Sequence, residues 1–115
     1  MAAIRFIGLA IADSMFAPDA SIQRKPLTVE QVKELVASGV ESACNASHAN
    51  TLQALETKHG IRLSSQGAPK VNLNIGDSII VMSVRGLPRL EGTAQYSDEQ
   101  IAAATFAFGI WTVTN

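Results

Sequence analysis

The sequence predicts an α/β (α+β) fold: one mixed β-sheet of about five strands flanked by helices, in a single domain spanning residues 1–115. Three observations lead there. Apolar runs of strand length stand near both ends of the chain. Two long segments carry apolar residues at helical spacing behind capping residues. Strand-like and helix-like stretches alternate along the length. The composition, 47% hydrophobic and 17% charged over 115 residues, excludes compositional disorder and suits one domain with its own core.

The elements follow in order. The opening AIRFIGLAIA is apolar almost throughout and rich in Ile, as expected of a strand buried on both faces. DSMFAPDASIQRKP gathers Asp, Ser and two prolines and reads as a loop. In LTVEQVKELVASG, Val29, Val32, Leu35 and Val36 share a helical face behind a Thr28 to Gln31 capping box, and Gly39 ends the segment. VESAC reads as a brief strand. A second helix runs from Ser47 or His48 to Gly60, with Leu52 and Leu55 on its apolar face and Lys58 and His59 in its last turn.

IRLSSQGAP is a loop, and KVNLNI alternates Val71, Leu73 and Ile75 against Lys70, Asn72 and Asn74, the pattern of a half-exposed strand. The Gly76-Asp77 turn and the continuous run SIIVMSV then predict a hairpin with it, the second strand being central. RGLPRLEGTAQ is loop-like. Ser97, followed by Asp98 and Glu99, caps a short helix through about Ala104, and FGIWTVT is a strand near the end of the chain.

Several function classes fall away. A formal net charge of -1 gives no global signature of DNA binding, so an anionic ligand would be held by local Lys, Arg and helix N-termini. Neither GxGxxG nor GxxxxGK[ST] occurs, which argues against dinucleotide and P-loop chemistry. Cys44 is the one cysteine, so an intrachain disulfide is excluded, thiolate zinc sets are missing and a reducing cytoplasm fits best. FIGLAIA is too short to cross a bilayer and no secretory cleavage site follows it, so a soluble protein without a targeting segment or membrane partner is expected.

Two constellations carry potential chemistry. Asn45 and Ser47 are good N-cap residues, and the amides of the turn after them, including those of Asn50 and Thr51, form an anion site of the kind helix starts provide. His48 in that turn is either a general acid for a bound phosphate or a solvated residue beside a cap, and spacing alone leaves both open. In RGLPRLEG, Arg85 and Arg89 offer planar forks suited to phosphate with Glu91 close by; a surface loop with a local ion pair is the plain alternative. Lys70 and Ser14 are smaller candidates, a strand-end cation and a loop hydroxyl. Cys44 reads as a small buried apolar residue and His59 as structural, placed where the helix macrodipole favours a cation. Two histidines without matching carboxylates make a poor metal site, and no cofactor is expected.

Taken together, LTVEQVKELV, SHANTLQAL, GIRL, VNLNIGDSIIV, RLEG and FGIWTVT, in that order over about residues 27 to 114, resemble the viral anti-CRISPR ring nucleases, small proteins of archaeal viruses and phages. The resemblance implies a homodimer that encloses cyclic tetra-adenylate at its interface. It further implies metal-free cleavage to linear di-adenylate with cyclic phosphate ends, in the cytoplasm of an infected host cell, to the detriment of type III CRISPR immunity. By position the catalytic histidine falls on His48, the helix-start threonine on Thr51, the loop arginine on Arg89 and the loop carboxylate on Glu91. The sequence also departs from the family pattern. RLEG is one residue shorter between arginine and glutamate, which brings Arg85 in as a sharer of the arginine's role. Ser14 is the nearest match to a first-strand hydroxyl, and Lys70 to an arginine before the third long strand. SHANT lacks the usual flanking glycine and acidic residue. These departures support an alternative, a sponge that sequesters a cyclic nucleotide without cleaving it.

Overall fold

The apolar opening run builds β1 (Arg5–Gly8), in which Phe6, Ile7 and Gly8 are all buried. The computed structural model describes residues 5–9, 11, 13–44, 49–64, 71–87 and 96–114. After β1 come a single 3-10 turn (Asp13–Met15), β2 (Ile22–Leu27), α1 (Val29–Ser38), β3 (Glu41–Ser42), α2 (Ala49–His59), β4 (Ser78–Arg85), α3 (Asp98–Ala103) and β5 (Thr105–Val113). The strands form one mixed five-stranded sheet in the order β2-β5-β4-β1-β3. β1 runs parallel to both β3 and β4, whereas β5 is antiparallel to β4 and β2. A mixed sheet of about five strands with helices is therefore what the sequence forms.

Local chemistry explains where the helices begin. The Thr28 hydroxyl accepts from the Gln31 amide and the Gln31 side chain accepts from the Thr28 amide, the reciprocal box expected from the sequence. Ser97 and Gln100 repeat it at α3. α1 stops at Gly39, whose φ of 116° suits glycine, and α2 stops at Gly60 with φ of 72°. Lys58 then links two helices: its Nζ donates to the carbonyls of Ala102 and Ala104, so a cation sits at the C-terminal end of α3.

Two expectations need correcting. IQRKPL, read as part of a loop, is the edge strand β2. It shows no apolar alternation because an edge strand needs none: five of its six residues are exposed, and Pro26, which has no N–H, is tolerated at an edge. KVNLNI, conversely, forms no hairpin with β4, because β1 and β5 already occupy the two hydrogen-bonding edges of β4. Its described residues, from Val71 on, make only a parallel bridge between Leu73 and Phe16, with the Leu73 amide donating to the Met15 carbonyl. Val71 and Leu73 are buried as the alternation expects, but Ile75, 72% exposed, sits at the turn. The turn itself is present: the Asp77 amide donates to the Asn74 carbonyl, and the Asp77 carboxylate accepts from the Asn74 amide. A smaller difference is that β5 begins at Thr105, ahead of FGIWTVT.

The two faces of the sheet are covered differently. On one, Ile7, Ile80, Met82, Phe106 and Phe108 pack against Val32 of α1, Leu52 and Leu55 of α2 and Ile101 of α3. Each such side chain contributes about 1.5–3 kcal/mol by leaving water. On the other, Phe6, Ile79 and Val113 are covered by Val71, Leu73 and the half-buried Met15 and Phe16, all from segments outside the three α-helices. Farther along this second face Ser83, Arg85, Thr105 and Ala107 are exposed. No helix among the described residues is long and apolar enough to cross a membrane.

Candidate functional site

The parallel strands bring three carboxyl ends to one end of the sheet: Gly8 of β1, Ser42 of β3 and Arg85 of β4. That is where ligands bind in open sheets of this kind. α2 follows β3 and places Asn50 and Thr51 in its first turn, so the positive end of its macrodipole lies on the connection that leaves the carboxyl end of β3. Ser14 lies in the 3-10 turn that follows β1 and is exposed. Of the residues singled out from the sequence, Ser14, Asn50, Thr51 and Arg85 are thus each carried on, or just beyond, the strands that run parallel. His48, Lys70, Arg89 and Glu91 lie outside the described residues.

The described candidates do not share one cavity. Asn50 lines a small one of about 150 Å³ with Gln53 and Thr57 of α2, Tyr96 just before α3 and Asp98 at its start. Arg85 lines a separate cleft of about 390 Å³ on the open part of the second face, together with Arg24, Ser83, Thr105 and Ala107. Arg24 is the residue that sequence reasoning missed. It stands on β2, which was read as a loop, and it reaches the cleft because β2 pairs with β5 in a register that sets Arg24 opposite Trp111. Its guanidinium lies against Gly109: a Cβ built there would come within 3.0 Å of Nε and of a terminal nitrogen. The one signal in the sequence is the absence of a side chain at Gly109 within an otherwise β-rich run.

The remaining titratable candidates are structural. His59 packs edge-on against Phe106, ring centroids 5.6 Å apart. Burial holds its pKa below the ordinary 6.5, with Lys58 and Lys33 adding to the effect and Glu30 opposing it. The helix end was expected to favour the cation, but desolvation prevails. Cys44 is 1% exposed, and burial pushes its thiol pKa up against the opposing hydrogen bond from Ser42, so it is the small apolar residue the sequence suggested. Among the described residues no group of three or more His, Cys, Asp or Glu side chains is arranged to hold a metal ion.

No family model matches the chain, and no curated protein matches it. Solved structures do. One is B116 of Sulfolobus turreted icosahedral virus, similar at 20% identity and a TM-score of 0.68, over 95% of this chain and 98% of that one. At this identity the likeness is one of fold, and it extends over nearly the whole of both chains. The fold of this protein is therefore one that a small archaeal viral protein also adopts.

Proposed function

We propose that the protein is a metal-independent ring nuclease that acts as a homodimer on cyclic tetra-adenylate and yields linear di-adenylate with cyclic phosphate ends. The observation that carries this reading is the start of α2 at Ala49, immediately after His48 in the sequence, on the connection that leaves the carboxyl end of β3, the strand paired parallel with β1. A phosphate there would meet helix-start amides at Asn50 and Thr51, with the guanidinium of Arg85 at the same end of the sheet. The near full-length likeness to a viral protein fold supports the same reading.

In the proposed reaction a ribose 2'-hydroxyl attacks its own adjacent phosphorus, the bond to the 5'-oxygen breaks, and His48 gives that departing oxygen a proton. Glu91 orients the attacking hydroxyl and takes its proton, while Arg89 and Arg85, with Lys70, Ser14 and Thr51, hold the ring. Acid catalysis of this kind contributes about 10² to 10⁴ in rate, and positioning supplies the rest. Incubation with cyclic tetra-adenylate in EDTA followed by product separation tests the proposal. Linear products from the wild type and their loss in His48→Ala, with binding retained, are expected; full activity of that variant removes His48 from the mechanism. The shortened RLEG loop and the changed polar residues after the first strand favour the alternative, a sponge that binds without cleaving. Recovery of intact ligand after prolonged incubation would select it.

A further inference from the structure

We infer that the cleft between Arg24 and Arg85 on the open part of the sheet is a second anion site, built for the phosphate of a small phosphorylated ligand. Among the described residues five line it: Arg24, Ser83, Arg85, Thr105 and Ala107. None of these five is acidic, and neither arginine makes an ion pair among the described residues, where Arg62 with Glu56 is the pair that forms. Two permanent cations thus share one concavity on a chain whose net charge is -1. They repel each other until an anion joins them, and a phosphate is the anion that matches two planar forks.

The floor is shaped for this arrangement. Gly109 lacks the Cβ that would collide with the Arg24 guanidinium at 3.0 Å, so the fork lies down on the sheet instead of extending into solvent. Ala107 keeps the ground between the two arginines low. Ser83 and Thr105 add hydroxyl donors, Thr105 being directly paired with Arg85 across β4 and β5. The cleft's 390 Å³ falls within the range of roughly 300–1,000 Å³ typical of small-molecule sites. Arg85 is shared with the ring-nuclease proposal but Arg24 and Gly109 are not, so variants at those two positions test this cleft whether or not that proposal holds.

Trp111, the single tryptophan, is the cross-strand partner of Arg24, and its fluorescence reports on the cleft. Titration with pyrophosphate and with linear tri-adenylate should give a saturable change. Comparable affinity for the two points to free phosphates as the source, and much tighter tri-adenylate binding points to nucleotides. Arg24→Ala should weaken pyrophosphate binding by about tenfold or more, as expected for a lost charge-assisted contact. Gly109→Ala should also weaken it, because the new methyl group displaces the fork while both charges remain. Lys25→Ala removes the same charge from the other side of β2, where Lys25 pairs with Ile110, and should leave binding within twofold. Circular dichroism confirms that each variant is folded. No saturable signal, or equal losses in Arg24→Ala and Lys25→Ala, would overturn the inference.

Discussion

The two faces of this sheet are made by the same strands, residue by alternate residue, yet they serve different ends. Ile80 and Met82 face three helices, whereas Ile79 faces loops and Ser83 and Arg85 face no described helix. The helical face is closed by apolar side chains over β1, β4 and β5, and polar only toward the edge strand, at Gln23 and Lys25. The other is closed at one end by chain segments and left polar at the other. Stability is concentrated where regular elements supply continuous apolar cover, and room for a ligand is left where cover stops.

The largest test of that contrast compares two core truncations. Ile80→Ala, beneath the helices, should cost about 2–5 kcal/mol in urea unfolding. Leu73→Ala, in the loop cover of the opposite face, should cost about 2 kcal/mol, since a segment tied by a single bridge settles into the space left behind. Equal costs would mean that loops cover this sheet as firmly as helices do.

A smaller effect belongs to His59, on the helical face. Its folded pKa lies below 6.5, so on acidification the unfolded chain takes up the proton first. The stability present above 6.5 is then lost as pH falls through the folded value. Thermal midpoints measured from about pH 7 to about pH 5 should fall more steeply for the wild type than for His59→Gln. Parallel curves would show that the ring is not held neutral by its burial against Phe106. The smallest change is expected on the open ground: Ala107→Ser, at an exposed position, should alter stability by no more than about 0.5 kcal/mol.

Much of this architecture could be read from residues whose effects are local. Thr28 with Gln31, Ser97 with its acidic first turn, and the glycines at 39 and 60 mark helix ends through hydrogen bonds that span only a few residues. Pairing between strands was harder to read. The alternation in KVNLNI correctly reports that Val71 and Leu73 are buried, but burial on one side says nothing about which backbone edge is free, and β4 had none to offer. IQRKPL has no apolar alternation because its surroundings are solvent, so only its register with β5 reveals it as a strand. The site divides in the same way. Asn50 and Thr51 are legible as a helix start, whereas Arg24 gains meaning only through Gly109, a residue remote in sequence.

The position of β5 has a consequence for the timing of folding. It lies between β4 and β2, so residues 22–27 find their place in the sheet only through residues 108–113, and β1 likewise meets β4 across most of the intervening chain. Closing such loops costs entropy before any pairing repays it. As the chain leaves the ribosome, α1 and α2 can flicker into existence early, but the strand that unites the sheet follows every other described element. Assembly is therefore a late, cooperative event that the nascent chain cannot complete by stages.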